Sequence, residues 1–127
     1  MRPGRGRGEQ GQSAVELALV LPLLALLTLG LVQVGLVVRD QLLVLQAARD
    51  AARQAAVSAD RGSITAAARG ATALDPGRLR VELGPRGQPG STLQVTVRYR
   101  AATSVPLIGR FVDDVQLEAT ASMRVEN

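Results

Sequence analysis

The longest uncharged segment of this chain limits its fold more than any other feature. Between Glu16 and Arg39, residues 17–38 carry no charged side chain, a run of 22 residues. A helix rises about 1.5 Å per residue, so this run would span roughly 33 Å, enough to cross a hydrocarbon layer of about 30 Å. Buried helices in small soluble domains are rarely so uniformly apolar. We therefore predict a transmembrane helix.

The charges that flank this run predict its orientation. Arg2, Arg5 and Arg7 precede it, in a stretch rich in glycine. Basic residues are concentrated on the cytoplasmic side of membrane helices, so we expect a cytoplasmic N-terminus and an extracytoplasmic part from residue 39 to 127. The predicted location is the cytoplasmic (inner) membrane, crossed once.

A secretory signal peptide is the competing interpretation, because it also combines a basic start with an apolar run. The run here is about twice as long as the apolar core of a signal peptide. The residues that follow it, Arg39-Asp40-Gln41, do not form a small-x-small cleavage site. Both features favour a retained anchor.

A short motif lies at the cytoplasmic edge of the run: residues 11–17 read GQSAVEL, and residues 20–24 read VLPLL. This motif resembles the start of type IV pilin-like proteins, and among them the TadE-like family of Tad (Flp) pilus assembly. In prepilins a membrane peptidase cuts after the glycine, so the resemblance implies cleavage between Gly11 and Gln12. It also implies that Glu16 is the fifth residue of the mature chain, where such proteins carry a glutamate.

The resemblance continues more weakly through residues 47–53 and 105–126, where it is compositional. It implies a non-catalytic minor pilin or pseudopilin that acts in assembly of a Tad-type pilus or a related secretion apparatus. The implied partners are the cytoplasmic membrane, a prepilin peptidase, other pilin or pseudopilin subunits and Tad assembly proteins. The alternative is an unprocessed single-pass accessory protein whose outer domain binds another envelope partner.

Helix geometry supports a role for Glu16 independently of the family. An acid at the edge of the bilayer is costly and needs a reason. The new amine of Gln12 and the Glu16 carboxylate would lie on one helix face, about 6 Å apart along the axis. Pairing Glu16 with the amine of an offset neighbouring subunit would neutralise both charges and set the stagger between helices. In the simpler interpretation, Glu16 is hydrated in the headgroup layer.

Four further residues of the apolar run bear on helix packing. Pro22 cannot donate its amide, so we expect a kink or local loosening there. Gly30 and Gly35 leave low surfaces for a neighbouring helix, although their spacing of five does not form a GxxxG motif. Gln33 could bond between subunits or simply be tolerated.

The outer part of the chain is predicted to be α+β. The helical period continues past residue 38, with an alanine-rich stripe of Val44, Ala48, Ala51, Ala52, Ala55 and Ala59, so one helix would extend from about Ser13 to Ala59. Gly62 would stop it, Ser63 would cap a second helix, and Asp75-Pro76-Gly77 would form a turn. Period-two alternation then predicts three strands, joined first by a hairpin.

The predicted division is a basic leader over 1–11, which the motif above marks for cleavage, a transmembrane helix over 12–38, and an extracytoplasmic domain over 39–127. Within that domain we expect helices at 39–59 and 63–74, and strands at 78–83, 92–100 and 114–125. The small antiparallel sheet needs a cover for its apolar face, and the outer half of the long helix is the available one. This arrangement is pilin-like.

The connection over 101–113 permits two interpretations. Exposed, its apolar residues would form a patch for a partner subunit; buried, they would close the end of the sheet. Burial is the commoner outcome and is what we expect. The residues concerned are Val105, Pro106, Leu107, Ile108 and Phe111.

Composition argues against catalysis and against cofactors. The chain has no histidine and no cysteine, and Asp113 and Asp114 are adjacent, so on a strand they would point to opposite faces. We therefore expect no enzyme activity, no metal site, no cofactor and no small-molecule substrate.

Nucleic-acid binding is the remaining alternative, because all 15 basic residues are arginine and the net charge is +4. Arg78, Arg80, Arg98 and Arg100 could form a basic sheet surface, as in a DNA-binding pilin-like protein. Glu82 and Glu118 interrupt that surface, and the strands contain a single aromatic residue, so we consider this function improbable.

Overall fold

The computed structural model describes residues 7–70, 72–103, 110–111 and 113–126. Two helices are followed by a short 3-10 turn, Pro76–Arg78, and by three strands. The elements are α1 Arg7–Val57, α2 Arg61–Gly70, β1 Leu79–Leu83, β2 Thr92–Ala101 and β3 Val115–Arg124. The predicted α+β class, with a long N-terminal helix and a small antiparallel sheet, is confirmed.

Helix α1 is 51 residues long, so its axis extends about 76 Å. It begins at Arg7, six residues before the predicted start at Ser13. Two interactions favour the earlier start: Glu9 lies in the first turn, where the helix dipole favours a negative charge, and the Ser13 hydroxyl donates to the Glu9 carbonyl at 3.1 Å. The predicted cleavage position after Gly11 therefore lies inside a helix.

The junction between α1 and α2 differs from the prediction. Asp60, and not Ser63, caps α2: its carboxylate accepts from the amides of Gly62 at 3.2 Å and Ser63 at 3.1 Å. Gly62 consequently lies in the first turn of α2 and does not terminate α1. An aspartate at this position satisfies two amides that the helix leaves free. At its other end α2 stops at Gly70, earlier than the predicted residue 74, because glycine disfavours continuation of a helix.

The turn predicted at Asp75-Pro76-Gly77 is present and leads into the sheet. The Asp75 carboxylate accepts from the Gly77 amide at 3.0 Å, and β1 then begins at Leu79. The strands follow the order β1-β2-β3 and both neighbouring pairs are antiparallel. In β2, buried and exposed residues alternate, so one face is apolar and the other faces water.

The apolar face of the sheet packs on the outer half of α1. Small side chains dominate the helix side of this contact, which lets the sheet approach the helix backbone closely. Ala59, predicted to belong to this stripe, lies beyond the end of α1 and is exposed. The buried residues on this outer half of α1 are Val44, Ala47, Ala48, Ala51, Ala52, Ala55 and Ala56.

Two hydrogen bonds set the direction of β3 along α1. The Gln41 side-chain amide donates to the Glu118 carbonyl at 3.1 Å, and the Glu126 amide donates to the Ala56 carbonyl at 3.0 Å. The eight residue steps from Glu118 to Glu126, about 26 Å of extended chain, thus match the fifteen helix steps from Gln41 to Ala56, about 22 Å. Strand β3 therefore runs in the same direction as α1, and the connection between β2 and β3 lies at the end of the sheet nearest the apolar run.

The opposite end of the sheet is tied to the C-terminus of α1. Arg86, in the loop between β1 and β2, donates to the carbonyls of Ala55 at 2.5 Å and Ser58 at 2.9 Å. The last turn of α1 contains no basic residue of its own. Arg86 thus supplies from a distant loop the positive charge and the donors that a helix C-terminus favours.

We expect Arg86→Ala to lower the free energy of unfolding by about 1 kcal/mol, because the carbonyls of Ala55 and Ser58, at the end of α1, lose a charged donor. The near-ultraviolet circular dichroism of Tyr99, the only tyrosine, would report thermal unfolding of the full chain in detergent micelles. Arg80→Ala is the control, since Arg80 is also an exposed arginine near this hairpin. Equal unfolding midpoints for the two variants would contradict the role of Arg86 as a cap of the C-terminus of α1.

We expect Ala51→Leu to destabilise the domain by about 1–3 kcal/mol, because Ala51 is fully buried in the core cluster and a larger side chain forces its neighbours apart. Ala66→Leu makes the same change at an exposed position of α2 and should leave stability nearly unchanged. Urea unfolding in micelles, followed by the same Tyr99 signal, compares them. Tolerance of leucine at both positions would argue against close packing.

Candidate membrane anchor and subunit-contact site

The N-terminal part of α1 is exposed over residues 8–28, and it carries no charge from residue 17 onward. The span Gly8–Val57 contains a window with a mean hydropathy of 2.5, and none of that window is buried. Leu19, for example, is 72% exposed. A core helix of a soluble domain would bury such residues. This helix is therefore compatible with single-pass membrane anchoring.

Burial along α1 begins inside the predicted transmembrane segment. Residues 8–28 are all exposed, whereas Leu29 and Gly30 are half-buried and Gln33 is 8% exposed. Val37 packs against the core cluster of the domain. The partly buried stripe of α1 thus starts at Leu29, nine residues before the uncharged run ends at Val38.

Gly11, Gln12 and Glu16 lie on the exposed first turns of α1. No heavy atom outside the local helix backbone approaches the Cβ position of Gly11 within 4 Å. Gln12 and Glu16 are one helical turn apart, as predicted, so both groups face the same side. Among the described residues, no salt bridge includes Glu16. The arrangement leaves its carboxylate accessible to another chain.

The predicted packing residues lie on the same helix. Helix α1 continues through Pro22, and the surroundings of Gly30 and Gly35 are open, with no side chain within 4 Å of either Cβ position. Gln33 is nearly buried within the chain itself, and its Oε1 has no partner in the part that the structure describes. Its burial could not be predicted from sequence, because it depends on the tertiary structure around the helix.

The predicted partner patch is described only in part. Val105, Pro106, Leu107 and Ile108 lie outside the described residues. Phe111 is described and is 87% exposed. The expectation that this connection is buried is therefore wrong for Phe111.

The outer face of the sheet carries paired charges. Arg98 reaches the carboxylates of Glu82 at 3.6 Å and Glu118 at 3.2 Å. Arg78 lies 3.8 Å from the Asp75 carboxylate and 3.7 Å from that of Asp114. Two of the four arginines proposed for a basic surface are thus neutralised by neighbours. This is a typical solvated strand face, held by surface ion pairs that each contribute little.

Metal binding finds no support in the described part of the chain, where no three acidic residues come together as ligands. Histidine and cysteine are absent from the whole sequence.

Comparison with known families identifies the same part of the chain. The family model described as TadE-like protein matches residues 11–53, about a third of the chain, which confirms the resemblance to the TadE-like family over that segment. The match begins at Gly11 and extends along α1 to Arg53, and it does not include the weaker resemblance predicted for residues 105–126. No curated protein and no solved structure matches the chain.

Proposed function

We propose that this protein is a non-catalytic minor pilin or pseudopilin, a membrane-anchored structural component in assembly of a Tad-type pilus or a related secretion apparatus. The observation that carries the proposal is the match of residues 11–53 to the TadE-like family, on a helix whose most apolar window contains no buried residue. A surface of this kind needs either lipid or other helices around it.

Processing is the first step of the proposed mechanism. A prepilin peptidase would hydrolyse the bond between Gly11 and Gln12 on the cytoplasmic side, and the helix would stay in the membrane. Cleavage would remove Glu9 and with it the acceptor of the Ser13 hydroxyl. The mature chain would then start with the free amine of Gln12, four residues from Glu16.

Registration between subunits is the second step. Glu16 would pair with the Gln12 amine of a neighbouring subunit offset along the axis, because each charge requires an opposite charge at the edge of the bilayer. The open surfaces at Gly30 and Gly35 would let a neighbouring helix approach. The positive residues before the apolar run would hold the leader in the cytoplasm and send the domain outside.

An unprocessed accessory protein remains the alternative, and the mass of the mature chain separates the two. Protein purified from its native membrane should begin at Gln12, as measured by intact-mass spectrometry. We expect Gly11→Val to retain residues 1–11, whereas Gly8→Val, at another open helical glycine, should still be processed. A wild-type chain that keeps the leader would exclude the processing step.

The role of Glu16 is tested by substitution. Glu16→Ala should reduce copurification with other pilin subunits at least several-fold, because the amine of a neighbour loses its counter-charge. Glu9→Ala removes an acid from the leader, which is absent from the mature chain, and should copurify as the wild type does. Normal assembly of the Glu16→Ala protein would refute the pairing.

A further inference from the structure

The length of helix available to lipid is shorter than the apolar run. Residues 17–28 are exposed on all sides of α1, and these twelve residues extend about 18 Å. A hydrocarbon layer is about 30 Å thick, so about 12 Å of it remains to be spanned. This length corresponds to the following turns, where Leu29 is half-buried and Gln33 is 8% exposed. Whatever covers these turns lies at the depth of the outer leaflet.

The register of β3 on α1 points to the part of the domain that reaches this depth. Glu118 lies beside Gln41, and β3 begins three residues earlier, at Val115. Three strand residues extend up to about 10 Å, a distance that α1 covers in about six or seven residues. Along the axis of α1, the start of β3 therefore lies on the N-terminal side of Val38, at the level of the last turns of the apolar run.

The connection between β2 and β3 leads directly into this start of β3. Its two ends are joined by the Thr103 hydroxyl, which donates to the Asp113 carbonyl at 3.4 Å. Within it, Phe111 exposes 87% of its surface, and its neighbour Arg110 is also exposed. Phe111 is the only phenylalanine of the chain, and exposure of a large aromatic side chain to water is unfavourable.

We define the base of the domain as the start of β3 together with residues 110–111 and 113–114 of the connection before it. We propose that this base lies in the outer leaflet and that Phe111 contacts lipid there. The phenyl ring would lie among the upper acyl chains, while Arg110, through its long side chain, would reach the headgroup phosphates. Asp114 would stay at the headgroup level, where its ion pair with Arg78 reduces the cost of placing a carboxylate near the hydrocarbon. Gln33 fits the same placement, because a nearly buried side chain keeps its amide away from the hydrocarbon.

The inference rests on the membrane anchoring contained in the proposed function, and it adds a second, lateral lipid contact to the helix. The ligand is a bilayer surface of any phospholipid with long acyl chains. A neighbouring protein subunit is the other candidate occupant, and the experiment below distinguishes the two.

The absence of tryptophan from the chain provides a clean test. Phe111→Trp introduces one fluorophore at an exposed position, in the full chain reconstituted into phospholipid vesicles. Leu24→Trp reports the centre of the exposed apolar helix, and Val57→Trp, at the far end of α1, reports the aqueous side; Leu24 and Val57 are 50% and 59% exposed. Lipids brominated near the headgroup or deep in the acyl chains then measure the depth of the indole in each variant.

We expect the Phe111→Trp protein to lose most of its emission in lipids brominated near the headgroup and less in deeply brominated lipids. The Leu24→Trp protein should show the reverse order, and the emission of the Val57→Trp protein should be unaffected.

Three outcomes would contradict this expectation in different ways. Quenching of the Leu24→Trp protein without quenching of the Phe111→Trp protein overturns the lipid contact and leaves the anchoring intact. Unquenched emission from the Phe111→Trp protein that is blue-shifted and concentration-dependent would place another subunit on this residue and equally overturn the lipid contact. Absence of quenching in the Leu24→Trp protein would refute the anchoring itself.

Discussion

The close contact between the alanine stripe of α1 and the apolar face of the sheet is the interaction on which the rest of the fold depends. Ala47, Ala48, Ala51 and Ala55 are completely buried, and their small size lets β2 and β3 lie near the helix backbone. A helix of this length cannot form a compact unit alone, and the sheet gives its outer half a surface to pack against. That outer half becomes part of a two-layer domain, and residues 8–28 are left exposed.

The two ends of this contact have different roles. At the far end, Arg86 binds the last carbonyls of α1, so the hairpin loop and the helix terminus stabilise each other. At the near end, the bond from Gln41 to Glu118 fixes how far the sheet extends toward the apolar run. That register brings the base of the domain to the last turns of the run, and the end of the run at Val38 is therefore a poor marker of where the domain begins.

Several elements could be predicted because their signals are local. Uncharged residues over 17–38 predict the anchor, the period-two alternation predicts three strands, and Asp75-Pro76-Gly77 predicts its turn. The start predicted for α2 was wrong because Asp60 and Ser63 can both cap a helix, and only the folded backbone shows which carboxylate or hydroxyl meets the free amides. The start of α1 was missed because the glycine-rich leader contains few residues that favour a helix.

The sequence by itself determined the class of the protein: an apolar helix of membrane length, a pilin-like motif around Gly11 and Glu16, and an α+β domain without histidine or cysteine. These properties follow from hydrophobicity, charge and residue spacing, which act over short stretches of chain. Only the tertiary structure decided that Gln33 is covered, that Arg98 is neutralised by two glutamates, and that Arg86 caps α1 from a distance. Each of these features depends on contacts between residues far apart in the chain. The geometry of those contacts is set by how the sheet packs on the helix.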